Sequence, residues 1–317
     1  MHQWGWTLLR HHLAFAAALL VQPLAFAQAP YQPPRTAEGR VDFGGIWGTA
    51  FLTPLERPEG VKDLVVHPDG ARKFSDEFRS HVPAVIDPDF QVSDVRALAS
   101  VRGELRSSMV VTPADGQIPY TEKGLKLAVR YFELEETAFD NPEERPTSER
   151  CLAGIGQAPI RQLPAFIPSL IVQTPTELVI ATEDVGSLRI VRLDGRPPPL
   201  HPTFEGWSAG RWDGDTLVIE TTHSRPDDLF RSHLGRSILV EPDSKVIERL
   251  TRISATELLY QFTVEDTDLY AAPWLAEYVF TLSDKPFYEY ACHEANYAMT
   301  NMLVAGRMGK QPKPKTK

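Results

Sequence analysis

The fold is decided by residues 245–282, which read KVIERLTRISATELLYQFTVEDTDLYAAPWLAEYVFTL. Apolar and polar side chains alternate within 245–253, 257–265 and 274–282, and polar turns separate these runs. A period of two predicts β-strands with one buried face. That face is either plain core packing or the lining of a cavity for an apolar ligand. In the last two strands it carries Leu258, Tyr260, Phe262, Val264, Trp274, Ala276, Tyr278, Phe280 and Leu282.

The alternation continues towards the N-terminus. No helices alternate with these strands, so a parallel α/β sheet is excluded. Short consecutive strands with tight turns form an antiparallel meander, and closure of a meander into a barrel removes its exposed edges. We therefore predict a mainly β protein with a closed β-barrel. The further predicted strands are residues 169–173, 177–182, 187–193, 206–212 and 215–222.

The remaining segments have other patterns. Residues 121–137 have apolar side chains at helical spacing and begin with Thr121, a good N-cap, which predicts a helix. We expect one barrel domain over residues 41–309. Its other predicted parts are a bent strand at 41–50, a helical and irregular insertion at 51–150 with helices at 75–81 and 92–106, and a short helix at 293–305. An extended Pro-rich segment at 28–40 precedes the domain, and a disordered tail at 310–317 follows it.

The first 27 residues are typical of a secretory signal. A short basic region at Arg10 precedes the apolar run LAFAAALLV, and the small-x-small triplet Ala25-Phe26-Ala27 fits a cleavage site before Gln28. The apolar run is too short to cross a bilayer. We expect a periplasmic or secreted protein that is not inserted stably in a membrane.

An oxidising compartment permits a disulfide between Cys151 and Cys292, and two buried thiols are the alternative.

The composition excludes several classes of function. The 317 residues carry 33 Lys and Arg against 42 Asp and Glu, a net charge of −9, which argues against nucleic acid and anionic membrane surfaces as partners. Two cysteines are too few for a tetrathiolate zinc site. The histidines lack His-x-His or His-Glu-x-x-His spacing, and glycine-rich nucleotide loops are absent. We therefore predict no metal and no organic cofactor.

Two resemblances add to this interpretation. Gly45-Ile46-Trp47 resembles the Gly-x-Trp of the first strand in lipocalin-type barrels. The resemblance implies that Trp47 packs under the barrel floor with an arginine stacked on it. The insertion at 51–150 departs from the lipocalin pattern.

The chain also resembles a widespread family of secreted bacterial proteins with no settled function. SAGRWDGDTLV at 208–218 and YEYACHEANY at 288–297 carry much of this similarity. It implies export and a β-rich fold but no reaction. The chain has Thr221-Thr222-His223-Ser224 where the family usually has Thr-Thr-Asn-Phe. Further matches lie at 42–47, 53–58, 150–151, 171–175 and 193–197.

The densest group of polar residues surrounds His293. Imidazole is a proton carrier near neutral pH, and an adjacent carboxylate can orient it. We predict His293, Glu294 and Glu265 as acid–base residues. The alternative is that Glu294 caps the final helix and His293 bonds a backbone carbonyl.

Charged residues on the predicted strands offer a further set of candidates. Glu248, Arg249 and Arg252 fit a solvated barrel exterior, and the alternative for Arg249 is a buried pair with Glu265. The candidate substrate-binding residues are Tyr290, Arg249, Arg211, Trp212, Tyr260, Tyr278 and His223.

Two functions from different classes follow. The first is a cofactor-independent lyase, isomerase or hydrolase that acts on a hydrophobic or aromatic small molecule. The second is a lipocalin-like carrier that binds such a molecule without chemistry. An enzyme requires His293 and a carboxylate beside an open pocket, whereas a carrier requires an apolar cavity. A structural role at the cell surface is a third alternative and requires no cavity.

Overall fold

The structure is a computed structural model, and it describes residues 31–49, 51–81, 98–161, 167–185, 187–233, 236–294 and 296–309. The predicted signal at 1–27 and the predicted tail at 310–317 lie outside these residues. The helices are α1 (Pro68–His81), α2 (Glu122–Thr137) and α3 (Tyr297–Gly309). The strands are β1 (Gly45–Gly48), β2 (Val65–Val66), β3 (Ser100–Val101), β4 (Glu104–Arg106), β5 (Val110–Thr112), β6 (Ser169–Gln173), β7 (Glu177–Thr182), β8 (Leu188–Arg192), β9 (Trp207–Asp213), β10 (Thr216–Thr222), β11 (Phe230–His233), β12 (Arg236–Leu239), β13 (Lys245–Arg252), β14 (Glu257–Glu265) and β15 (Trp274–Ser283).

Nine strands form a closed barrel, which confirms the predicted fold. Their order is β1-β6-β7-β8-β9-β10-β13-β14-β15, and β15 pairs with β1 to close the ring. All neighbours are antiparallel except β8 and β9, which are parallel, so the barrel is mixed rather than a pure meander. Strand β5 adds to β15 outside the ring. Strands β2, β4 and β3 form a separate small sheet, and β11 pairs with β12.

Several local predictions are confirmed and others are wrong. Helix α2 begins after Thr121, whose hydroxyl accepts a hydrogen bond from the Gly124 amide, as predicted. The predicted helix at 92–106 is wrong over its described part, because residues 100–106 form β3 and β4. The final helix begins at Tyr297 rather than at residue 293, because Asn296 is its cap and accepts the Met299 amide at 3.2 Å.

The barrel floor has the arrangement that the Gly-x-Trp resemblance implies. Trp47 is fully buried and donates its indole N–H to the Phe43 carbonyl at 2.9 Å. The guanidinium of Arg252 lies 5.2 Å from the centroid of the Trp47 ring. Arg252 also donates to the carbonyl of Asp42 at 2.8 Å, so the cation is held over the ring.

The inward face of β14 and β15 is part of the packed core. Side chains from β14 and β15 alternate inwards as predicted, and each of the inward residues from Leu258 to Phe280 is at least 94% buried. Tyr260 and Tyr278 pack with a centroid distance of 5.1 Å.

Among the described residues, no helix is both long enough and apolar enough to cross a membrane.

A disulfide joins Cys151 to Cys292, with the two Cα atoms 5.7 Å apart. It ties the segment after β15 to the segment that precedes β6. Asn296 reinforces the same connection, because its side-chain amide donates to the Glu149 carbonyl at 2.8 Å.

Candidate functional site

A buried ion pair lies inside the barrel. Arg189 on β8 donates Nη1 and Nη2 to the Glu248 carboxylate on β13, at 2.6 and 3.0 Å. Only 2% of the Arg189 side chain and none of the Glu248 side chain is exposed. Hydrogen bonds to the remaining polar atoms of such a pair offset the cost of removing it from water. Glu248 Oε1 accepts a further hydrogen bond from Tyr260, whereas Arg189 Nε is buried without a partner in the described part of the chain.

The prediction that Glu248 lies on the solvated exterior is wrong. Glu248 is two positions from both Val246 and Leu250, which also face inwards. Its position in the alternation therefore predicts an inward side chain. The prediction is confirmed for Arg249, which lies on the outer face and donates to Asp213 at 2.9 Å.

Two tyrosines bind a segment of the chain within the barrel. We call residues 151–161 the plug. The Tyr260 hydroxyl donates to Glu248 Oε1 at 2.5 Å and accepts the Ile160 amide at 2.8 Å. The Tyr278 hydroxyl donates to the Ile160 carbonyl at 2.8 Å. Burial raises the pKa of both phenols well above their usual value, so they remain neutral donors.

The other end of the plug packs against the β7–β8 turn. The Gly154 amide donates to Ser187 Oγ at 3.0 Å, and the Ile155 amide donates to Asp184 Oδ2 at 2.6 Å. A Cβ atom on Gly156 would lie 2.5 Å from Thr182 Oγ1, so this position has no room for a side chain. Ala158 and Ile160 of the plug belong to the buried core, so this part of the plug occupies space that an open barrel would offer to a ligand.

A second group of charges lies beside the plug. Gln157 donates to Asp228 Oδ2 at 2.6 Å, and the Arg231 guanidinium lies 3.0 Å from the same oxygen. Burial, with repulsion from nearby Arg231, lowers the pKa of Arg161 to about 10. Burial also raises the pKa of Glu205, and its Oε2 has no hydrogen-bond partner.

An open cleft of about 610 Å³ lies outside the barrel, against the C-terminal half of α2. Tyr131 and Phe230 pack against each other on one wall, with their ring centroids 4.9 Å apart. Thr147 and Asp228 connect the cleft to the buried charges, because Thr147 Oγ1 donates to Asp228 Oδ1 at 2.9 Å. The cleft is lined by Arg130, Tyr131, Leu134, Thr137, Ala138, Asp140, Glu143, Glu144, Arg145, Pro146, Thr147, Pro226, Asp227, Asp228, Leu229 and Phe230.

The predicted acid–base residues are not joined by contacts. His293 and Glu294 are exposed after Cys292. Glu265 pairs with Lys245 at 2.7 Å rather than with Arg249. No hydrogen bond or ion pair connects Glu265 with His293 or Glu294 in the described part of the chain, and their catalytic role stays a prediction.

The predicted substrate-binding residues lie in different environments. Tyr260 and Tyr278 are in the core, whereas Tyr290 and Arg211 are exposed. Trp212 stacks on Phe43, with ring centroids 5.7 Å apart. His223 has a left-handed backbone with φ of 59°, and its Nδ1 lies 2.8 Å from the Thr222 hydroxyl. None of these residues lines the cleft.

Sequence reasoning missed the cleft because α2 and the 226–230 loop are about a hundred positions apart along the chain. Neither segment has a motif that points to the other.

Within the described ranges, no three His, Cys, Asp or Glu side chains are placed to hold a metal ion. Comparison of the chain with protein-family models, curated proteins and solved structures finds no match.

The ion pair makes a specific prediction about stability. Glu248→Gln removes the carboxylate that is paired with buried Arg189, so we expect a loss of about 3–5 kcal/mol in the free energy of unfolding, measured with urea. The exterior variant Asp213→Asn is the control and should lose less than about 1 kcal/mol. Equal stability of the two variants would contradict a buried pair.

The raised pKa of Glu205 predicts how the stability of the fold depends on pH. Its pKa is raised in the folded state, so the folded protein binds the proton more tightly than the unfolded chain. The resulting stabilisation is present below the usual pKa of 4.5 and is lost as the pH rises through the folded value. Relative to Glu205→Gln, the native protein should therefore lose stability as the pH rises above 4.5. Urea unfolding between about pH 4 and 8 tests this, and parallel stability curves would exclude it.

Proposed function

We propose that this chain is an exported β-barrel protein that binds a small molecule with an apolar or aromatic body in the cleft beside α2. The observation that carries this proposal is the contrast between the inner wall of the barrel and the cleft. The inward wall of β14 and β15 is packed and its tyrosines bond the plug, whereas the cleft is open.

The dimensions and chemistry of the cleft support this role. Sites for small molecules in proteins are typically concavities of about 300–1,000 Å³ lined by apolar and aromatic groups with a few polar ones. The cleft has about 610 Å³, and Tyr131, Leu134, Leu229 and Phe230 supply its apolar surface. A flat aromatic ligand can pack against Phe230, the less buried ring of the Tyr131–Phe230 pair.

Export is the second part of the proposal. The first 27 residues have the pattern of a cleavable signal, and the Cys151–Cys292 disulfide is of a kind that persists in oxidising compartments. The Arg252–Trp47 stack supports kinship with lipocalin-type barrels. In this proposal the barrel is a scaffold, and the ligand binds outside it.

Binding without chemistry is the function that the geometry favours. The acid–base hypothesis needs His293 and a carboxylate together at an open pocket. His293 does not line the cleft, and Glu265 is engaged by Lys245. The carrier hypothesis needs only the cleft itself.

The experiment uses the neutral fluorescent probe N-phenyl-1-naphthylamine and a variant that blocks the cleft. Thr137 is exposed on the cleft wall at the end of α2, so Thr137→Trp places an indole in the cleft. We expect saturable binding to the native protein and a loss of affinity of at least about ten-fold in this variant.

Leu125→Trp is the matched control, because Leu125 is exposed on the same helix and does not line the cleft. This variant should bind the probe as the native protein does. Equal affinity of the two tryptophan variants, or no binding to the native protein, would refute the proposal.

A further inference from the structure

We propose that the cleft selects an organic cation, a protonated amine or guanidinium attached to an apolar or aromatic body. This inference rests on the proposed binding function and specifies the class of ligand. It follows from the groups that surround the C-terminal end of α2 and from the cations that the chain itself places there.

The C-terminal end of α2 is the first of these features. The helix has 16 residues and no basic residue in its last turn, so its negative end is not compensated from within the helix. Arginines from other segments bind there instead. Arg145 donates to the carbonyls of Leu134 and Ala138 at 3.3 and 3.2 Å, and Arg307 of α3 donates to the Asp140 carbonyl at 2.5 Å. This end of the helix therefore already accepts guanidinium groups.

Aromatic rings near the cleft also receive cations. The Arg145 guanidinium lies 4.5 Å from the centroid of the Phe139 ring, and the Arg225 guanidinium lies 4.6 Å from that of Phe204. The Tyr131–Phe230 pair lies on the wall of the cleft, which Arg145 also lines. A cation in the cleft can approach this pair by the same attraction between a positive charge and an aromatic ring.

The balance of charge in the cleft favours a cation. Of the lining groups, Asp227 is paired with Arg225, Asp228 with Arg231, and Arg145 with Glu149. Three further carboxylates, those of Asp140, Glu143 and Glu144, line the cleft with one further guanidinium, that of Arg130. The Glu144 carboxylate accepts the amides of Asp140 and Asn141, which position it without neutralising its charge.

Three probes of similar shape separate charge from apolar contact. They are 2-phenylethylammonium, the neutral 3-phenylpropan-1-ol and the anionic 3-phenylpropionate, each titrated into the native protein by calorimetry. We expect the ammonium to bind at least about ten-fold more tightly than the carboxylate, with the alcohol between them. The preference for the ammonium should weaken as the salt concentration rises.

A charge-neutralising variant tests where the selectivity arises. Glu143→Gln/Glu144→Gln should weaken ammonium binding several-fold and leave the affinity for the alcohol unchanged. The control Glu38→Gln/Glu59→Gln removes the same charge at exposed positions outside the cleft and should leave all three affinities unchanged.

The outcomes distinguish this inference from the proposed function. Binding of the alcohol or the carboxylate as tightly as the ammonium would overturn cation selectivity while small-molecule binding stands. An ammonium preference that persists undiminished in Glu143→Gln/Glu144→Gln would overturn its assignment to this cleft. Failure of all three probes to bind would overturn cation selectivity, whereas the proposed function is overturned only if N-phenyl-1-naphthylamine also fails to bind.

Discussion

The Glu248 carboxylate is the interaction on which the barrel interior depends. It neutralises Arg189 on β8 and accepts the hydroxyl of Tyr260 on β14, which in turn accepts the Ile160 amide of the plug. A buried carboxylate is costly unless donors compensate it, and here Arg189 and Tyr260 both donate to Glu248. The ion pair, the tyrosine and the plug therefore form one hydrogen-bonded network. This one side chain therefore connects β13 with β8 and, through Tyr260 of β14, with the plug.

A filled barrel determines where a ligand can bind. In an open barrel the inward aromatic faces would line the site. Here the Tyr260 and Tyr278 hydroxyls bond the plug, and the two rings pack against each other. An open cleft lies where α2, the 138–147 loop and the 226–230 loop meet. Asp228 belongs to both regions, because it bonds Thr147 of the cleft and Gln157 of the plug. The buried charges therefore support the wall of the cleft.

The fold was largely predictable because its signals are local. The bounds of β6, β7 and β14 agree with the predicted strands, and Thr121 marks the start of α2. The predicted helix is wrong over residues 100–106, because very short strands carry too little alternation to be recognised in a sequence. The alternation of side chains along β13 predicts that Glu248 points inwards, whereas its charge favours an exposed position. The cleft has no local signal, since it joins segments that are distant in the chain.

The occupied barrel is the central claim, and the most direct test is hydrogen exchange at the Ile160 amide. This amide donates to a buried tyrosine hydroxyl, so only unfolding that opens the barrel should expose it. The account predicts exchange as slow as that of the amides paired between β14 and β15. Exchange as fast as in the exposed 194–203 connection, while β14 and β15 stay protected, would contradict a plug bound inside the barrel.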